Sequence, residues 1–284
     1  MKAKSAGNVA AAVAGRPSVM EPKMDGHRAM LYVDRSKTRL FAAAGREKTG
    51  KLPRVEEMAR AFPPGTWLDG EVVSGEGKTA GWGSVQSVMG SGGLHPAHES
   101  LRCVLFDVVA VAGRDVCDHK LEERRAFLEA VFDELGNDGH LRLIDRLPAD
   151  QRAYDRLVKK GFEGTIVKHL GSRYVPGTRS SSWLKVKFAV TDEAVVMGYK
   201  AGEAGFSGFI GSIIFGQYVD GKLVERGKCS GMDWAIRSEI TAHKKEFLGR
   251  VFEFSHNGLM PSGGYRHPQF KRWRDDKPAE ECLG

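Results

Sequence analysis

With 284 residues, 41% hydrophobic and 28% charged, the chain is long enough for one large globular domain or two of ordinary size. Its formal charge of +7 and pI near 9.2 suit a polyanionic partner, and the basic excess lies within residues 1–190, because residues 191–284 balance. Four scattered cysteines without a Cys-x-x-Cys pair argue against a zinc site or disulfide scaffold and for a reducing, cytoplasmic setting, and no apolar run reaches the length of a membrane span.

The first twenty residues set Lys2 and Lys4 before an Ala/Val-rich segment broken by Asn8, Gly15 and Arg16. That pattern reads as a short helix or a loose arm rather than a signal peptide. Next comes Glu21-Pro22-Lys23-Met24-Asp25-Gly26-His27-Arg28, a lysine between carboxylates. It is either a charged surface turn, since Asp-Gly favours turns, or the site of a nucleophile. A lysine amine attacks phosphorus only when neutral, so its surroundings would have to lower a free pKa near ~10.4.

Residues 28–34 and 39–42 alternate as two strands around a turn, and residues 55–62 form a short helix stopped by Pro63-Pro64-Gly65. Trp67 to Val73 is a strand whose period of two puts Asp69 and Glu71 on one face, either lining a cleft or facing solvent. Residues 75–93 are glycine-rich with a helical turn at 82–88, and residues 101–111 are an apolar strand with Asp107 embedded in it. Leu121, Leu128, Val131, Phe132 and Leu135 make one helical stripe, with Glu122, Glu123, Arg124 and Arg125 on the solvated face. A second helix over 149–160 ends at Gly161, a strand covers 162–168, and 172–182 is a loop. Trp183 to Phe188 is a strand placing Lys185 and Lys187 on one face, suited to a phosphate or to an exposed edge.

Composition turns neutral near residue 189, which divides the chain into domains 1–188 and 189–284. The second reads as short strands with one helix: a strand over 193–199, a hairpin turning at Asp220-Gly221, a helix from Asp233 to about Leu248, and a strand at 251–256. That content suits a small β-barrel of the OB type. The tail, residues 266–277, holds five Lys/Arg and reads as a basic tail when taken alone.

Taken in order, these segments resemble the lysyl-nucleotidyltransferases, specifically the ATP-dependent DNA ligases. Lys23-Met-Asp-Gly-His-Arg28 resembles the family's first motif, Asp69-Gly-Glu71 its third, and Phe106-Asp107 the one after it. Glu163-Gly-Thr-Ile-Val-Lys168 resembles the fourth, Trp183-Leu-Lys-Val-Lys187 the fifth, and Arg266 to Lys277 the sixth. The resemblance spans the chain from about residue 20. It implies an α+β fold: an antiparallel-sheet, ATP-grasp-like nucleotidyltransferase domain followed by the OB barrel.

By that resemblance Lys23 attacks the α-phosphorus of ATP, releases pyrophosphate and carries AMP. Glu21 lies at the adenine edge, Glu71 takes the ribose hydroxyls and Phe106 stacks on the base, with Arg28 and Lys168 also lining the nucleotide site. Lys185 and Lys187 hold the α-phosphate; Glu163 and Asp25 site a Mg²⁺ or Mn²⁺ ion. Arg274, Asp276 and Lys277 swing over the ATP to orient pyrophosphate. AMP then passes to the 5′-phosphate of a nick in duplex DNA, and the 3′-hydroxyl displaces it. The implied protein is a minimal, monomeric ligase with no obligatory protein partner. An RNA ligase and a GTP-using mRNA capping enzyme share the first motif, and a non-catalytic OB protein would share only the basic surface. The pattern departs at Ala42-Ala43-Ala44-Gly45, where many ligases carry Ser-Arg. That leaves nick engagement to Arg46, with Arg39 a poorer substitute.

Overall fold

The computed structural model describes residues 1–75, 81–137, 139–188, 190–260 and 262–284, so part of the glycine-rich stretch and the boundary residue 189 lie outside the described residues. The chain divides into two compact units, Met1–Phe188 and Ala189–Gly284. The first unit contains strands β1 (Lys2–Ser5), β2 (Ser18–Pro22), β3 (His27–Val33), β4 (Thr38–Ala42), β5 (Thr66–Val73), β6 (Arg102–Val111), β7 (Arg114–Asp115), β8 (Leu141–Leu143), β9 (Leu147–Pro148), β10 (Gly164–His169) and β11 (Arg179–Lys187). Its helices are α1 (Val9–Val13), α2 (Pro53–Met58), α3 (Trp82–Gly90), α4 (Leu121–Leu135) and α5 (Gln151–Lys159).

These strands make two sheets, ordered β1-β11-β10-β2-β9 and β4-β3-β5-β6-β7, with β8 joined to β6. Both are mixed rather than purely antiparallel, because β1 runs parallel to β11 and β8 parallel to β6. Alternation decides which face each sheet buries. Ala29, Leu31 and Val33 of β3 and Leu68 and Val72 of β5 pack against Val55 of α2, Val85, Val88 and Met89 of α3, and Leu128 and Phe132 of α4. Behind the other sheet, α1 and α5 cover Met20, Val167, Leu184 and Val186 with Val9, Ala12, Ala153 and Leu157. Each buried Val, Leu, Met or Phe side chain among them contributes roughly 1.5–3 kcal/mol. The opposite faces of the two sheets are left to line a cleft.

Three expectations for this unit are corrected. The first twenty residues are neither a lone helix nor an arm: β1, α1 and most of β2 lie there, with β2 paired to β10 and β9 and Met20 wholly buried. The Ala/Val run forms α1, while Ser18–Pro22 is too short to show a strand period and is made a strand by pairing with β10. The expected loop 172–182 ends early, since β11 begins at Arg179. Arg124 and Arg125 are buried rather than solvated: Arg124 for a reason given below, and Arg125 because it donates to Glu129 at 2.7 Å and to the Ile144 carbonyl at 3.0 Å.

The second unit is an antiparallel sheet of β12 (Val190–Ala201), β13 (Ile210–Val219), β14 (Lys222–Cys229), β15 (Val251–His256) and β16 (Gln269–Trp273), ordered β14-β13-β12-β15-β16. Asp220 and Gly221 both have positive φ, 49° and 74°, as a two-residue hairpin turn demands. The side chain of Asp233 accepts the Ile236 amide at 2.9 Å and starts α6 (Trp234–Ala242). The expected single helix breaks at His243, before α7 (Lys244–Phe247). The basic tail is not loose: residues 269–273 are β16, paired with β15 through the buried Phe270. No described helix is long and apolar enough to cross a membrane.

Candidate active site

The cleft of the first unit is lined by Glu21, Lys23, Arg28, Glu71, Phe106, Ile166, Lys168 and Trp183, among others. Local backbone explains why each projects there. β2 ends at Pro22, and the Lys23 amide donates to the Gly164 carbonyl at 2.8 Å, holding Lys23 beside the start of β10. The glycine after Asp25 is required by packing: a Cβ on Gly26 would lie 2.1 Å from the Val72 carbonyl oxygen. Gly164 answers the same demand, its Cβ falling 2.5 Å from the Val186 carbonyl oxygen. Phe106 owes its place to a bulge. Asp69 pairs with Asp107 but Gly70 with Leu105, so Phe106 is the extra residue on β6 and is turned out of the ladder.

At one end of the cleft every charge has a fixed partner. Lys168 and Glu21 are almost fully buried, and their side chains meet at 2.7 Å. Lys168 Nζ also donates to the Phe106 carbonyl at 3.0 Å and lies 4.1 Å from the Trp183 ring centre. Arg146 Nε donates to the other Glu21 oxygen at 3.3 Å. Burial pulls Lys168 below the usual lysine range, with Glu21 and Asp107 opposing it. Beneath Phe106, Arg124 of α4 clasps Asp107 through two bonds of 2.7 and 2.9 Å, both side chains wholly buried. Arg124 Nη1 donates to the carbonyls of His119 and Ser172, satisfying the guanidinium further. An aspartate inside an apolar strand needs such a cation. That need was readable from Asp107; the identity of the cation was not.

At the other end three ammonium groups gather around one carboxylate. Glu163 is hydrogen-bonded by Lys23 Nζ and takes Lys187 Nζ at 3.1 Å. Burial pushes Glu163 up, but Lys23 and Lys187 outweigh it and hold the carboxyl below its usual range. Lys185 is pulled down by burial first and then by Lys187, Arg179 and Lys23 nearby. Glu71 is pushed up to about 7 by burial, opposed by Lys23 and Arg28 and reinforced by Asp69 and Asp25. Between the ends, Arg28 grips buried Asp69 at 3.0 and 2.5 Å, and the Tyr174 hydroxyl donates to Asp69 at 2.7 Å. Asp69 is thus a buried anchor for Arg28, and Glu71 is the acid that faces the cleft.

The sequence-predicted residues of the first unit therefore converge, while Arg274, Asp276 and Lys277 form a cluster within the second. There Arg274 and Lys277 share Glu193, and Arg274 also holds Asp276 at 2.8 and 2.9 Å. Arg39 is occupied by Glu47 at 2.7 Å, whereas Arg46 is exposed on the turn that replaces the expected Ser-Arg. Sequence reading missed Arg124, Arg146 and Tyr174, which reach the site from elements far along the chain. No group of three His, Cys, Asp or Glu side chains able to hold a metal occurs among the described residues. The donors present, the carboxylates Glu163 and Asp25, are hard oxygen ligands and sparse. They fit a Mg²⁺-like ion bound mostly through phosphate and water.

Comparison with known proteins shows what the chain is similar to. Residues 1–187 match the model of the ATP dependent DNA ligase domain. The DNA ligase of Archaeoglobus fulgidus is 30% identical over 304 residues, covering 94% of this chain and 53% of that protein. The multifunctional non-homologous end joining protein LigD of Mycolicibacterium smegmatis is 34% identical over 199 residues, covering 69% of this chain and 25% of that one. The chain thus spans about half or less of the length of these curated relatives. Among solved structures, the ligase domain of M. tuberculosis LigD superposes over 100% of this chain and 97% of that chain, with a TM-score of 0.58 at 24% identity. A mycobacterial DNA ligase D complexed with ATP and MES covers the same shares, with a TM-score of 0.55 at 25% identity. With two thirds of its length under the family model, the chain belongs to the ATP-dependent DNA ligase domain family.

Proposed function

We propose that this protein seals 5′-phosphate/3′-hydroxyl nicks in duplex DNA, using ATP and a covalent lysyl-AMP on Lys23. The observation that carries the reading is Lys23 at the open end of the cleft, bonded to Glu163 with Lys185 and Lys187 beside it. Three cations against one carboxylate leave positive charge to meet a triphosphate, where negative charge builds at the α-phosphorus during displacement. Lys23 must lose a proton before attacking, and Glu163 is the carboxylate placed to accept it. The amine then bonds to the α-phosphorus as the bond to pyrophosphate breaks, in line.

The paired end of the cleft would receive the base, with Phe106 as its stacking face and Glu21 at the adenine edge, and Glu71 would take the ribose hydroxyls. A divalent ion held by Glu163 and Asp25 would supply further charge neutralisation on the phosphates. In this reading the first unit is the nucleotidyltransferase domain and the second an OB-type barrel. Its Arg274, Asp276 and Lys277 would serve the departing pyrophosphate, and Arg46 the nick. The protein would act as a cytoplasmic monomer on nicked duplex DNA.

The test is incubation with labelled ATP or GTP and Mg²⁺, followed by denaturing electrophoresis. Acid-labile AMP label is expected on the protein and not on Lys23→Ala. No label from ATP would refute the reading, and label from GTP alone would favour capping. Sealing of nicked DNA compared with nicked RNA then separates the two kinds of ligase.

A further inference from the structure

Outside the cleft, α5 and its C-terminal cap carry Arg152, Arg156, Lys159 and Lys160, spaced i, i+4, i+7 and i+8 on one helix face. All four are exposed, and among the described residues no ion pair or side-chain hydrogen bond engages them. The adjoining face of α5 is spent on the core, through Ala153 and Leu157. Arg156 and Lys160 also line a cavity whose lining includes Pro22, Asp145 and Phe162. Two features tie this cavity to the reacting end of the cleft. Pro22 lines both spaces and precedes Lys23, and Lys160 lies three residues before Glu163, which holds Lys23.

Four neighbouring cations repel one another, and Asp145 is the single carboxylate lining the cavity. A polyanion relieves that repulsion. At about 1.5 Å per residue, Arg152 to Lys160 spans roughly 12 Å, long enough to follow consecutive phosphates rather than one isolated ion. Arginine can meet a phosphate with two parallel bonds, and lysine meets it as a point charge. We infer that the Arg156–Lys160 cavity and the basic face of α5 grip backbone phosphodiesters of the duplex beside the nick. The inference rests on the nick-sealing reading and adds a substrate contact outside the nucleotide cleft. Contacts of this kind fix position and carry no base sequence.

The test is the full chain carrying Arg156→Ala with Lys160→Ala, beside a control, Arg54→Ala with Arg60→Ala, which removes equal charge from α2 and the turn after it. Self-labelling with ATP should be unchanged in both. For the α5 variant, the dissociation constant for nicked duplex should rise about tenfold at 0.15 M salt, and the plot of log K against log salt should flatten by about 0.9 for each phosphate no longer neutralised. The control should keep the wild-type slope. A labelled α5 variant with wild-type slope and affinity would overturn this inference alone, as would equal loss in the control. Failure of the wild type to take label from ATP would strike the functional reading instead.

Discussion

The two ends of one cleft handle charge in opposite ways. At the closed end Lys168 and Glu21 retain 2% and 1% side-chain exposure, and the oxygens of Glu21 and Asp107 are engaged by lysine or arginine. At the open end Lys23, Glu163 and Lys187 retain 22%, 15% and 48%, with several cations around one acid. Closed pairs in a dry region change little when a ligand arrives, so they suit the fixing of a rigid base. A surplus of half-exposed cations is electrostatically unsatisfied without an anion, so it suits a group whose charge grows during reaction. The comparison makes different predictions for each end: truncation at the closed end should damage folding, and truncation at the open end should damage rate.

The largest effect is expected at Arg124. Arg124→Ala leaves Asp107 buried without a cation and should cost about 3–5 kcal/mol of unfolding free energy, read from urea titration. A loss below about 1 kcal/mol would mean that water reaches Asp107, and the closed end would not be closed. At the open end Lys185→Ala should slow lysyl-AMP formation by about 10²–10³-fold, as for removal of one preorganised donor, with little change in the unfolding midpoint. If it unfolds the protein instead, the contrast between the ends fails. Rapid-quench measurement of label from ATP separates this from a change in nucleotide binding.

Glu71 tests the boundary between the ends by pH. Its carboxyl titrates near 7 in the folded protein against about 4.5 ordinarily. Between those values the folded form holds more proton than the unfolded chain, so stability falls as pH rises through this window. Glu71→Gln should remove that fall. Relative to the variant, the wild type should lose about 1–2 kcal/mol between pH 4.5 and pH 7.5, after discount for partial exposure. Parallel stability curves would show that Lys23 and Arg28 already offset the burial of Glu71.

The open end was far more legible in the sequence than the closed end. Lys23, Glu163, Lys185 and Lys187 sit in or beside strand-like runs, where a polar residue breaks the apolar pattern and so stands out. Asp69 and Asp107 also stood out, as acids inside apolar strands, but their partners did not. Arg124 lies on a helix face that reads as solvated, and Arg28 could be matched to Asp69 only once β3 and β5 were paired. Periodicity shows which face a side chain takes, not what lies opposite. β2 was hidden for a related reason: five residues ending in Glu-Pro carry no readable alternation, and only their pairing with β10 makes them a strand. The bulge that turns out Phe106 depends on the register between β5 and β6, which no single strand encodes.

The smallest expected effect gives the finest test of the closed end. Arg146 touches Glu21 at 3.3 Å, against 2.7 Å for Lys168, and its Nη2 has no partner among the described residues. Its guanidinium is pulled below its ordinary range by burial despite Glu21. Such a side chain adds little net binding: the charge it brings is partly spent on its own desolvation. Arg146→Met keeps the apolar bulk and leaves Lys168 to neutralise Glu21. It should raise the KM for ATP in self-labelling only about 2–10-fold, the range of one ordinary hydrogen bond, with the rate at saturation unchanged. A fall in that saturating rate would carry the influence of Arg146 from the closed end to the open end, and the two ends would then have to be treated as one coupled network.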